Sequence, residues 1–308
     1  MARTAMAMTI VATLGFLVSS VGSATEVYWT PAHDLAPQGI LSSITWGDLD
    51  ADGDDDVVRG GDFVCWNTGG CPGPPVWQVE VGVVPPLSNC SYRQTTLGDL
   101  DADGDLDLVY GCFQPQLHMF WNTGTPQMPA WHYDPAAFDS IEGASYAAPH
   151  LGDLDADGDL DLIISSGSHV AALFENAGTP QTPIWTPGQV LGGVYLNGSN
   201  AVVALADLDG DSDLDMVGLT VSTPPQSWEN TGGPGQWQFT ENPAMLTGVD
   251  PPSGQWWGLA LPDVDCDGDP DLLAIVYVQG GTQQLLWLNE SAVAVRAASW
   301  TTIKALYR

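Results

Sequence analysis

Basic residues are scarce in this chain: six Lys and Arg stand against 38 Asp and Glu, giving a formal net charge of −32 at pH 7. A field of that sign repels phosphate backbones and anionic headgroups, which excludes nucleic acid as a partner. Long apolar runs are absent beyond the first 18 residues. No later segment therefore offers the roughly 20 apolar residues of a membrane span. Nor does any long stretch repeat its apolar residues at the 3.6-residue helical period. The five cysteines, Cys65, Cys71, Cys90, Cys112 and Cys266, show no CxxC spacing, so a zinc or redox motif has no support. The five histidines, His33, His118, His132, His150 and His169, share no ligand spacing.

Core-forming material is plentiful. Hydrophobic residues make up 44% of the chain and Trp occurs 13 times, a composition that excludes a disordered polymer. At the N-terminus, Arg3 precedes an apolar stretch, residues 5–18, which ends in the small residues Gly22, Ser23 and Ala24. This reads as a secretory signal peptide over residues 1–24, leaving 25–308 as the mature chain with no membrane insertion after cleavage. The expected location is secreted, extracellular or at the cell surface, with the periplasm as an alternative. An oxidising compartment suits disulfides, and Cys65–Cys71 and Cys90–Cys112 are the local pairings to test, although spacing alone leaves the connectivity open.

One pattern organises the remainder. Aspartates recur on alternate positions of a nine-residue loop, five times over. They are Asp48, Asp50, Asp52, Asp54 and Asp56; Asp99, Asp101, Asp103, Asp105 and Asp107; Asp153, Asp155, Asp157, Asp159 and Asp161; Asp207, Asp209, Asp211, Asp213 and Asp215; and Asp263, Asp265, Asp267, Asp269 and Asp271. The loops start 51, 54, 54 and 56 residues apart, the regular period of a repeat architecture. Two markers keep step. An aromatic followed by Asn-x-Gly or Asn comes after each loop, at Trp66, Trp121, Phe174, Trp228 and Trp287, and another aromatic lies beyond it, at Trp77, Trp131, Trp185, Trp237 and Trp300. Recurrence once per period assigns the first set to packing between repeats.

The loops hold 26 of the 38 acidic residues, so the charge is concentrated there. Two carboxylates about 4 Å apart repel by roughly 4 kcal/mol at an effective dielectric near 20. A hard dication removes that penalty, and Ca2+ takes about six to eight oxygen ligands. All 25 aspartates are thus candidate metal residues, for up to five calcium ions. Glycine at the sixth position, for example Gly158, permits the turn. The fourth loop has Ser212 there, with Gly210 two residues earlier, and Cys266 and Pro270 make the fifth irregular. An EF-hand is excluded, because the twelfth positions are Arg59, Tyr110, Ile164, Gly218 and Ala274 and strand-forming residues follow each loop.

Asp-x-Asp-x-Asp-Gly-x-x-Asp between two strands, followed by an apolar strand and Asn-x-Gly, resembles the FG-GAP and VCBS repeats. The resemblance spans residues 39–308 and implies an extracellular, calcium-binding β-propeller like the head of integrin α-subunits. The residues agree with an all-β fold of four-stranded antiparallel blades, with the calcium loop between first and second strands. In the second repeat the expected strands are 91–98, 106–111, 117–121 and 130–133. Five periods imply five blades, and residues 26–33 resemble an extra outer strand that either closes the ring or begins a sixth blade. Calcium loops and Asn-x-Gly turns then share one face. The opposite face, near 111–117, 165–169, 220–227 and 277–283, is uncharged and polar, and is the expected binding surface.

These features favour a monomeric, non-enzymatic binding or adhesion module for an extracellular protein or glycan. The alternatives are a carbohydrate-binding lectin, with one similar pocket per blade, and a polysaccharide lyase or hydrolase, which needs a cluster of acids or bases outside the loops.

Overall fold

The computed structural model describes residues 27–31, 43–60, 63–69, 76–87, 90–91, 93–125, 127–141, 145–166, 172–179, 181–188, 194, 196, 199–232, 237–263, 268–279 and 281–289. The proposed signal peptide, Trp300, Cys71, Asp265, Cys266 and Asp267 lie outside them. An N-terminal strand, β1 (Val27–Pro31), precedes four consecutive sheets. The first comprises β2 (Ile44–Gly47), β3 (Asp56–Arg59), β4 (Phe63–Asn67) and β5 (Trp77–Val81). The second comprises β6 (Gln94–Gly98), β7 (Asp107–Gly111), β8 (Leu117–Asn122) and β9 (Trp131–Asp134). The third comprises β10 (Ala148–Gly152), β11 (Asp161–Ser165), β12 (Ala172–Asn176) and β13 (Trp185–Pro187). The fourth comprises β14 (Val202–Ala206), β15 (Asp215–Thr220), β16 (Thr223–Asn230) and β17 (Phe239–Glu241).

The fifth sheet answers the question of closure. Its strands are β18 (Gln255–Ala260), β19 (Leu272–Val278) and β20 (Gly281–Asn289), and its outer strand is β1, paired antiparallel from Val27↔Asn289 to Pro31↔Leu285. The expected extra strand thus completes blade five. The inner strands β2, β6, β10, β14 and β18 touch in sequence, and β18 touches β2, so five blades form a closed propeller. Among the described residues no helix is long and apolar enough to cross a membrane.

The second strand of each blade shows why the repeat reads Asp-apolar-apolar. Both faces of that strand are covered, and successive side chains point to opposite blades. Leu108 packs toward blade one and Val109 toward blade three. Leu162 and Ile163 divide in the same way between blades two and four, and Leu272 and Leu273 between blades four and one. Five apolar clusters result, one per seam between blades, and burying each such side chain stabilises by about 1.5–3 kcal/mol. The glycine before three of the loops serves the same seams. A Cβ on Gly47, Gly98 or Gly152 would lie 2.6–2.8 Å from a leucine Cδ1 of the next blade.

Cys90 and Cys112 form one of the two expected disulfides, with Cα atoms 5.2 Å apart, while Cys65 is buried in the seam between blades five and one. Closing a separation of 22 residues stabilises by about 3 kcal/mol on loop entropy.

Several expectations need correction. The first strand of blade two begins at Gln94, because Arg93 ties the preceding segment into a loop through the carbonyls of Leu87 and Cys90, each 3.2 Å away. Phe239, not Trp237, stands opposite Asn230 on the outer strand of blade four. In blade five β1 takes the outer position expected for the segment around Trp300. The segments 220–227 and 277–283 are mostly strand rather than loop, because pairing persists to Thr220↔Thr223 and Val278↔Gly281.

Removing residues 1–31 leaves the backbone of β20 as an open edge. The truncated chain is expected to melt several degrees lower, with hydrogen exchange rising first in β19 and β20. Unchanged protection of β20 would contradict closure by β1.

Candidate metal centres

Each acidic loop is folded by its own carboxylates. The first aspartate accepts a hydrogen bond from the amide of the sixth residue: Gly53 to Asp48 at 3.1 Å, Gly104 to Asp99 at 3.0 Å, Gly158 to Asp153 at 3.1 Å and Gly268 to Asp263 at 3.1 Å. The third accepts from the fifth, as Asp157 N–H does to Asp155 at 3.2 Å. The fifth accepts from the seventh, as Asp159 N–H does to Asp157 at 3.0 Å. These nested turns need left-handed backbone at positions four and six. Ala51, Ala102 and Ala156 take φ of 56–60°, and Gly53, Gly104 and Gly158 take φ of 98–103°. The fourth loop keeps this shape despite its altered sequence: Gly210 and Ser212 both sit at φ 80°, and Ser212 N–H still reaches Asp207 at 3.0 Å.

The ninth aspartate performs a different task. It opens the second strand at Asp56, Asp107, Asp161 and Asp215 and directly precedes it at Asp271, and all five are fully or almost fully buried. One oxygen of Asp107 accepts the amide of Leu100, at loop position two, at 3.0 Å; the other accepts the amide of Asn122, ending the third strand, at 2.8 Å. Asp56, Asp161 and Asp215 repeat both bonds, and Asp271 accepts from Asn289 at 2.8 Å. The asparagine continues the chain of contacts. Asn122 Oδ1 accepts from Gly124 and Ala130, closing the turn into the outer strand, and Asn67, Asn176 and Asn230 do likewise. The recurrence of Asn-x-Gly was visible in the sequence; its bond to the ninth aspartate was not.

Positions one, three and nine converge. In Asp48, Asp50 and Asp56; Asp99, Asp101 and Asp107; Asp153, Asp155 and Asp161; and Asp207, Asp209 and Asp215, one oxygen from each residue lies within 4.8 Å of the others. These four triads could hold metal ions. The fifth-position residues Asp52, Asp103, Asp157 and Asp211, and the seventh-position Asp54, Asp105, Asp159 and Asp213, do not join them. In the fifth loop Asp263, Asp269 and Asp271 are described, whereas Asp265 and Asp267 are not.

The donor set fits a hard cation: carboxylate oxygens only, without nitrogen or sulfur. Each oxygen of the ninth aspartate that accepts an amide keeps lone-pair capacity. The electrostatics agree. Burial, partly offset by the amide bonds and reinforced by neighbouring aspartates, pushes Asp56, Asp161 and Asp215 up to about 7 and Asp107 to about 8. Asp101, Asp155 and Asp209 are also raised, by burial first and then by the fifth-position carboxylate. Asp55 is a further outlier. It occupies the eighth position, where other loops place Leu106, Leu160 and Leu214 against the preceding blade. Burial, then the charges of Asp48 and Asp263, raise it to about 7.

Two outcomes follow from this geometry. Ser212→Gly relieves a non-glycine residue at φ 80° and is expected to stabilise by about 1 kcal/mol, read as a rise in melting temperature; a lower melting temperature would contradict the strain. Separately, Asp56, Asp107, Asp161 and Asp215 titrate near 3.8 when unfolded and are pushed up to about 7–8 in the metal-free fold. The folded state then binds more protons than the unfolded state across that window, so metal-free stability falls as pH rises through it. In EGTA the protein is expected to melt higher at pH 5 than at pH 8, with excess calcium abolishing or reversing the trend. A melting temperature that rises with pH in EGTA would contradict this.

Three overlapping stretches, residues 99–164, 153–218 and 207–274, match the FG-GAP-like repeat. No curated protein matches the chain. Among solved structures it is similar to AofleA from Arthrobotrys oligospora, with 14% identity, coverage of 82% of this chain and 72% of that one, and a TM-score of 0.47. It is also similar to the fucose-specific lectin from Aleuria aurantia, with 10% identity, coverage of 82% and 96%, and a TM-score of 0.39. The matched repeats run through more than half of the sequence and coincide with the acidic loops of the propeller: this chain belongs to the FG-GAP-like repeat family.

Proposed function

We propose that this chain is a secreted, calcium-stabilised propeller that acts as a binding or adhesion module for an extracellular protein or glycan. The observation that carries the reading is the set of four carboxylate triads, each joining the loop to a buried aspartate at the start of the second strand. Calcium suits them better than magnesium, since magnesium demands a tight octahedron and retains its waters. The aspartates at positions one and three would hold the ion from the turn and the ninth would hold it from the strand. Occupancy cancels the mutual repulsion of the loop and ties first strand, second strand and third-strand end into one unit.

In millimolar extracellular calcium each site stabilises by mass action, about 2.7 kcal/mol when calcium stands at 100 times the dissociation constant. Binding is then left to the opposite face, where the hairpins between second and third strands and the links between blades emerge. Strong acidity keeps nucleic acid and anionic membranes away from this monomer.

A calorimetric calcium titration paired with melts in EGTA tests the reading. Several calcium ions per chain and a large fall in melting temperature on chelation are expected. Asp161→Ala should remove one site and destabilise by about 1–3 kcal/mol for each amide, Leu154 and Asn176, that loses its acceptor. Absence of calcium uptake at millimolar concentration, with identical melts in EGTA, would overturn it.

A further inference from the structure

On the face opposite the acidic loops the repeat departs furthest in blade five, beyond the bulged extension to Thr220↔Thr223 in blade four. In blades two and three the second and third strands pair over four and three residues, but in blade five they pair over seven, from Leu272↔Trp287 to Val278↔Gly281. Three additional rungs project the hairpin by about 10 Å. The inner strand follows it: Gln255 pairs with Tyr277, and a register shift between Trp256 and Gly258 accommodates the extension. The fully buried part of the seam ends at Trp256 and Val276; beyond it Val278 still packs against that cluster from the ribbon, while Tyr277 between them faces outward, 52% exposed.

An open groove of about 770 Å³ lies against it, lined in part by Pro252, Ser253, Gln255, Tyr277 and Gln279. The Tyr277 side chain is 52% exposed, and Ser253, Gln255 and Gln279 are also exposed. Gly254 lets the chain run close beneath, because a Cβ there would meet Val276 Cγ2 at 2.5 Å and the Tyr277 carbonyl at 2.8 Å. Among the described residues none that lines the groove is an acid or a base, although the chain carries −32.

We propose that this groove binds a neutral carbohydrate, with the Tyr277 ring as the platform for one sugar face and Gln255, Gln279 and Ser253 meeting its hydroxyls. The inference rests on the reading of this face as the binding surface, and it names the ligand class. A tyrosine ring offers an apolar face with a polar tip. The two side-chain amides each donate and accept, which matches hydroxyls that do both. An anionic glycan would meet the repulsive field of the whole protein, whereas a neutral one would not.

The test is retention of the full mature chain on immobilised mannan, β-glucan and galactan, with alginate as the anionic comparison. At least one neutral polymer is expected to retain the protein and alginate is not. Tyr277→Ala should weaken retention by about tenfold or more, as loss of a central contact does, while Tyr277→Trp keeps it. Both variants alter an exposed side chain and should leave the calcium response and the melt unchanged. No retention on any neutral polymer, or equal retention of Tyr277→Ala, overturns this inference while an intact calcium response leaves the calcium reading standing. A wild-type protein that ignores calcium yet binds mannan through Tyr277 would overturn the calcium reading alone.

Discussion

In four of the blades a buried carboxylate at the start of the second strand joins three parts of the blade. Asp107 is the clearest instance: its two oxygens fix the beginning of its own loop, at Leu100, and the end of the third strand, at Asn122. An acid in that environment is costly to ionise, which is why its titration is pushed up to about 8. The same carboxylate also closes the oxygen triad with Asp99 and Asp101. One residue therefore links the geometry of the turn, the register of the strands and an oxygen triad that could hold a cation.

Around these pins the ring is assembled by apolar alternation. Each second strand sends one side chain to the blade before and the next to the blade after, as Leu162 and Ile163 do. Small residues at the ends of inner strands leave room for leucines of the following blade, with Gly98 under Leu151 and Leu160. Polar side chains bridge some seams as well. Thr95 N–H donates to Ser43 Oγ at 2.9 Å, and Val203 N–H to His150 Nε2 at 3.3 Å. Burial lowers His150 to about 3, which keeps that ring nitrogen an acceptor. The acidic face and the apolar seams are thus separate devices joined at the start of the second strand.

Much of this was legible in the sequence, for a definite reason. A period of two in the aspartates and a period near 54 in the loops are both one-dimensional signals, and they placed the loops, the strands after them and the five blades. Local chemistry likewise marked Ser212 as out of place, and the backbone there is strained as the missing glycine implies. What stayed hidden depends on neighbours distant in the chain. The bond from Asn122 to Asp107 spans 15 residues, and β1 meets β20 across almost the whole ring. The charge of Asp263 acts on Asp55 only because blade five lies beside blade one. The extended hairpin of blade five carries a loop's signature in sequence, because Gln, Gly and Thr from 279 to 284 bring turn chemistry even where the strands continue to pair.

The central claim is that aspartates at positions one, three and nine form cages for calcium. Anomalous diffraction from crystals grown in calcium measures this most directly. The account predicts a peak in each of the four triads, about 2.3–2.6 Å from carboxylate oxygens, including those of Asp153, Asp155 and Asp161. A map without anomalous density at any triad, in crystals whose loops keep the same fold, would contradict it.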